Sequence, residues 1–170
     1  MFCRYRDASH PAPPAAATAA RHATAIDHLY RHNDAFLGRV RARLRPNDVL
    51  LVLSDHGFTS FRRGVNLNAW LRQEGYLVLK PGADGTGQWL RDVDWSKTRA
   101  YALGLTGLFL NVKGRETGGI VGTGEDAARL KAEIAGKLHG LVDAGTGEVA
   151  INDAFDPTRL YAGPYLDNAP

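Results

Sequence analysis

The chain has 170 residues, 44% of them hydrophobic and 23% charged, with a formal net charge of +3. That size supports one domain with a hydrophobic core, and the composition excludes a disordered or fibrous chain. A single cysteine, Cys3, excludes an intrachain disulfide and any cysteine-built zinc cluster. No apolar run reaches the roughly 18 residues that a membrane span needs. The opening stretch MFCRYRDASHPAPP lacks the apolar core of a signal peptide, which points to the cytoplasm where Met1 is the natural start. The basic residues are scattered rather than gathered into a stripe, so the positive charge does not indicate nucleic acid. The densest set is Arg39, Arg41, Arg43 and Arg45. Alternate positions on a helix point in different directions, and basic residues near a helix C-terminus complement its dipole.

In chain order, residues 5–20 read as an extended connection, with Pro11, Pro13 and Pro14 followed by alanines. From about Ala20 to Leu44, the residues Ile26, Tyr30, Leu37, Val40 and Leu44 recur at helical spacing, which predicts a helix with one buried face. Pro46-Asn47 ends it. Val49–Leu53 is an unbroken apolar run, bounded by Asp48 and Gly57, and predicts a strand buried on both faces of a parallel sheet. Asn66 is placed to cap a short helix through Trp70 and Leu71, closed by Gly75. Short strands are expected at Tyr76–Leu79, Arg99–Ala102 and Gly107–Val112, among glycine-rich turns, so that residues 60–120 form a small, partly antiparallel insertion. A helix over Glu125–Leu141 has Leu130, Ile134, Leu138 and Leu141 on one face, and a strand follows at Glu148–Ile151.

Asp55 and His56 are the sharpest chemical feature. A carboxylate oxygen and a neutral imidazole nitrogen both ligate divalent metal. Adjacent strand residues point to opposite faces, so both reach one ion only where the chain is turning, and Gly57 permits that turn. The alternative is that Asp55 caps a turn while His56 makes an ordinary hydrogen bond. Arg62 and Arg63 follow closely and could meet a substrate phosphate through bidentate guanidinium contacts, or serve as surface charge. His28 and His32 lie one helical turn apart without a third ligand at helical spacing. His10, His22 and His139 are isolated. Trp70, Tyr76, Trp95 and Tyr101 are expected in the core of the insertion, and Asn68 and Asn111 at caps or turns. GRETGG, residues 114–119, does not have the order of a phosphate loop.

SDHGF after the apolar run, then RRGVNLNAWLRQEGYLVLK, VDWSKTRAYALGLTGLFLNVKGRETGGIV (93–121) and RLYAGPYLDNAP (159–170), resembles the phosphohydrolase and phosphomutase branch of the alkaline phosphatase superfamily. This branch lies close to the type I phosphodiesterases and nucleotide pyrophosphatases. The resemblance reaches back to MFCRYRDASHPA, with Cys3 where an aromatic residue is expected, and so covers nearly the whole chain. It implies an α/β class, part of an alkaline-phosphatase-like α/β/α sandwich, with residues 1–170 as a partial domain. It also implies hydrolysis of phosphate esters with two divalent ions, zinc or alternatively manganese, and a Thr or Ser nucleophile forming a covalent phospho-enzyme. Asp55 and His56 match the pair that binds one ion. The nucleophile, the second Asp–His pair and a final His have no match in this chain, so no catalytic nucleophile is assigned and the isolated chain is expected to be inactive. The substrate implied is a small phosphate ester, with neither nucleic acid nor membrane as partner. Exposed edges would favour self-association. The other reading is a non-catalytic binding or structural module that keeps the fold.

Overall fold

The computed structural model describes residues 2–105 and 107–166. The last four residues of the matching tail, 167–170, therefore lie outside the described residues. The chain divides into two units, Met1–Gly64 and Val65–Pro170.

In the first unit, a single 3-10 turn at Phe2–Tyr5 precedes α1 (Ala16–His22) and α2 (Ala25–Arg41). The one long helix expected from the periodicity is thus two. Thr24 leaves the helical region at φ −98°, ψ 3°, and its carbonyl accepts the first bond of α2 from the His28 amide. Asp27 in the first turn of α2 and Arg39 and Arg41 in the last complement its dipole. No residue of α2 is buried, and Tyr30 is 73% exposed. The expected buried face is therefore corrected. The apolar spacing is present, but it makes a core face only where another element covers it.

The expected parallel strand at residues 49–53 is also corrected. Residues 49–65 form no backbone–backbone hydrogen bond among the described residues. Val49, Leu51, Val52 and Leu53 are exposed, Leu53 at 87%. A strand buried on both faces needs partners on both edges and layers on both sides, and among the described residues this run has no backbone partner and is exposed. Asp55 and His56 therefore follow an exposed segment without regular structure rather than the end of a central strand.

The second unit carries the hydrophobic core. Asn66 Oδ1 accepts the Ala69 amide at 3.0 Å and starts α3 (Leu67–Gln73); Gly75, at φ +76°, ends it, as expected. Residues 76–79 make one bridge, Leu79 with Val93, rather than a strand. The Val78 amide instead donates to Thr98 Oγ1 at 3.0 Å, and its carbonyl accepts from the Asp94 amide at 2.8 Å. A side chain and a turn thus take the bonds a ladder would have used. β1 (Ala100–Leu103) and β2 (Gly107–Leu110) pair antiparallel, with Ala100 opposite Leu110. α4 (Glu125–Leu138) buries Leu130, Ile134 and Leu138 at four-residue spacing. β3 (Leu141–Val142) and β4 (Val149–Ile151) close a second antiparallel pair.

Tyr76, Leu71, Val93 and Ala100 form the centre of this core with the buried face of α4. Trp70, Trp95 and Tyr101 pack against it, as the sequence suggested. The ring of Tyr101 meets Trp95 edge-on at 5.1 Å and stacks on Phe109 at 5.6 Å. Among the described residues, no helix is long and apolar enough to cross a membrane.

Asn111 joins the segments that β2 alone cannot reach. Its fully buried Nδ2 donates to the carbonyls of Trp95, Thr98 and Gly118 at 3.0, 2.8 and 3.2 Å. Beside it, a Cβ on Gly119 would lie 2.0 Å from the Val112 carbonyl oxygen, so only glycine allows that approach. Asn111→Ala leaves those carbonyls without their donor and is expected to cost about 3 kcal/mol of stability. Urea unfolding followed by tryptophan fluorescence measures it, and a loss below about 1 kcal/mol would show that the three carbonyls find other partners.

Candidate functional site

Asp55 and His56 sit in a short loop shaped by its own polar groups. Ser54 Oγ donates to the His56 carbonyl at 2.6 Å, and the His56 amide donates to Asp55 Oδ1 at 3.1 Å. His56 Nδ1 lies 2.9 Å from the Gly57 carbonyl oxygen. A carbonyl only accepts, so Nδ1 carries the hydrogen and, in the neutral ring, Nε2 carries the lone pair. The Phe58 ring meets the imidazole edge-on at 5.2 Å.

The unused ends of the two side chains converge. Asp55 Oδ2 lies 3.3 Å from His56 Nε2. Two electron-pair donors facing each other at that distance repel unless a proton or a cation lies between them. The spacing also suits a shared ion, because metal–ligand bonds of about 2.0–2.2 Å in tetrahedral geometry put neighbouring donors about 3.4 Å apart. The Gly57 carbonyl fixes the tautomer, as outer contacts do for metal-binding histidines. Both side chains are open to solvent, Asp55 at 86% and His56 at 62%. The donor set therefore fits one divalent cation, with two ligands from this loop. Among the described residues, no group of three or more His, Cys, Asp or Glu residues is placed to hold a metal.

Arg62 does not stand alone in solvent. Its Nη2 donates to Asp7 Oδ2 at 3.0 Å and to Ser9 Oγ at 2.7 Å, while Nη1 donates to the Ser9 carbonyl at 3.2 Å. Arg63 is partly buried and has contacts of its own. Sequence reasoning passed over Asp7 and Ser9. The available signal was the Asp-x-Ser spacing of a local turn: Asp7 Oδ1 accepts the Ser9 amide at 3.1 Å and the Ser9 hydroxyl at 2.7 Å. The Ser9 and Ser60 hydroxyls, ahead of the Arg62 charge, hold the Asp7 carboxyl below the usual carboxylate range.

The remaining histidines serve local structure or lie on the surface. His10 Nδ1 accepts the Ala12 amide at 3.0 Å, and His139 Nδ1 lies 3.1 Å from Asp153 Oδ1. His28 and His32 are exposed on α2. Asn68 is bonded to the backbone of Ala102 in both directions, at 2.9 and 2.8 Å, and serves packing.

An open carboxylate–imidazole pair with a fixed tautomer suits metal-assisted hydrolysis. The family comparison narrows the class. The model of the type I phosphodiesterase / nucleotide pyrophosphatase family matches residues 19–161. The chain belongs to this family of phosphoester hydrolases, a member of the alkaline phosphatase superfamily. Its mixed helices and small antiparallel sheets are consistent with part of the alkaline-phosphatase-like α/β fold, and the family generally depends on divalent metal. No curated protein and no solved structure matches the chain.

The depressed Asp7 carboxyl has a definite pH sign. A folded value below the ordinary 3.8 means that its contacts stabilise fully above that pH and are lost as pH falls through the folded value. A carboxyl-carbon NMR titration of Asp7 should therefore have its midpoint below 3.8, shifting up toward it in Ser9→Ala. A midpoint at or above the ordinary value would remove the Ser9 and Ser60 bonds as its cause.

Proposed function

We propose that the chain serves metal-dependent hydrolysis of phosphate esters of the phosphodiester or nucleotide-pyrophosphate kind, with Asp55 and His56 as ligands of one divalent ion, zinc before manganese. The observation behind this reading is the 3.3 Å approach of Asp55 Oδ2 and His56 Nε2, with Nδ1 held by the Gly57 carbonyl. When bound, such an ion supplies Lewis-acid stabilisation of charge on phosphoryl oxygens. The chain's own residues orient the donors: the His56 amide holds one Asp55 oxygen and leaves the other for the cation. Arg62 and Arg63 are proposed as phosphate contacts. In the arrangement described above, Arg62 would have to release Asp7 to take that part. Residues 60–120, which include the β1–β2 hairpin, are proposed as the inserted subdomain that sets substrate choice.

Two ligands hold a cation weakly, because catalytic zinc sites commonly use three protein ligands and one open position. The isolated chain is therefore proposed to bind metal without turning over substrate. The shortage of a third donor among the described residues also favours a second reading, a non-catalytic module that keeps the fold. Calorimetric titration with zinc or manganese should show binding that weakens more than about tenfold in Asp55→Ala, since even outer contacts to metal ligands cost about that much. A chromogenic phosphodiester and phosphomonoester should give equal background rates with both proteins. Metal-dependent turnover abolished by Asp55→Ala would establish a complete site and overturn the inactive-chain reading. Identical metal titrations would overturn the assignment of Asp55.

A further inference from the structure

We infer that Asp7 is a positioning residue for the Asp55–His56 loop, tying it through Arg62 to the N-terminal turn and so setting its affinity for a divalent cation. The inference rests on the reading of Asp55 and His56 as cation ligands.

The need for such a tie follows from the backbone. Residues 49–65 form no backbone–backbone hydrogen bond among the described residues, and Asp55 and His56 are both exposed. The bonds within 54–57 shape the loop locally but do not fix where it sits. Long-range restraint comes from Arg62, whose three hydrogen bonds cross more than 50 residues to Asp7 and Ser9.

The other end of the tie is well held. The Asp7 amide donates to the Cys3 carbonyl at 3.1 Å, and the Asp7 carbonyl accepts the His10 amide at 3.1 Å. Next to it, Arg6 pairs with Asp27 of α2 at 3.1 Å, and the Tyr5 ring packs on His22 of α1 at 5.3 Å. The chain of contacts therefore runs from the two helices through the 3–10 turn and Arg62 to the segment bearing the ligands. Asp7 is its junction, since one carboxylate receives the Ser9 amide and hydroxyl on Oδ1 and Arg62 on Oδ2. A preorganised loop binds a cation more tightly because less ordering accompanies binding, and supporting contacts of this kind typically alter metal affinity by about 10- to 100-fold.

Five proteins test it: the wild-type chain, Arg62→Ala, Asp7→Ala, the double variant and, as the conservative replacement, Arg62→Lys. Amide nitrogen order parameters are measured by NMR relaxation at residues 54–62 and, as an internal reference, at 125–138. Cobalt(II) is titrated by visible absorption, with Asp55→Ala as the blank. The expected result is lower order parameters at 54–62 in both single variants with 125–138 unchanged. Cobalt affinity should fall about tenfold in each single variant, no further in the double variant, and recover in part with Arg62→Lys. Unchanged order parameters at 54–62 in Arg62→Ala overturn the tie whatever the metal does. An affinity lost in Asp7→Ala but kept in Arg62→Ala overturns it too, because Asp7 would then act on the cation directly. A wild-type titration identical to the Asp55→Ala blank removes the cation reading and with it the proposed consequence, while the relaxation data still decide the tie.

Discussion

Every backbone amide and carbonyl must find a partner or water, and that constraint separates the two halves of this chain. In the second unit, turns, two antiparallel pairs and side-chain caps meet it. In residues 49–65, no backbone partner exists among the described residues. The apolar run Val49–Leu53 consequently lies open, although its side chains are those of a buried strand. The site follows this run directly, so the position of Asp55 and His56 depends on side-chain contacts instead of on a sheet.

The second unit shows how few polar groups organise a small core. Asn111 fastens three carbonyls from two turns, and Thr98 supplies the amide of Val78 with the acceptor that a neighbouring strand would have offered. Around them the Tyr76 ring is buried beneath the cations of Arg99 and Lys137, with centroid distances of 4.9 and 5.1 Å. Its hydroxyl donates to Glu133 of α4. Desolvation, then the Glu133 bond, pushes this phenol up, while Glu74 and then Tyr76 push the Lys137 ammonium up. These groups hold α4 against the segment that follows α3. They explain why a unit without a large sheet keeps a continuous core.

The phosphoester-hydrolase family of the chain and the chemistry of its exposed pair point the same way. An aspartate and a histidine adjacent in sequence share one cation only in a turn, and Ser54, Gly57 and Phe58 provide that turn and hold the ring. Arg62 links this turn to Asp7, a residue with no distinctive motif in the sequence. The Asp55–His56 turn and the carboxylate that holds Arg62 therefore come from separate segments of the chain.

The sequence by itself determined the elements whose signals are local. Asn66 at the cap of α3, Gly75 at its end, the β1–β2 hairpin and the buried stripe of α4 follow from capping chemistry, turn glycines and helical spacing. It also marked Asp55 and His56, because their donor atoms and the glycine beside them are legible without a fold. Tertiary structure decided what depended on neighbours. The amphipathic stripe of α2 and the run at 49–53 predict burial only if another surface covers them, and hydrophobic pattern cannot supply that surface. Nor could spacing show that Arg62 reaches Asp7, since a salt bridge across 55 residues leaves no periodicity in the chain. Local hydrogen bonding is written in adjacent residues, whereas burial and long-range pairing exist only once separate segments meet.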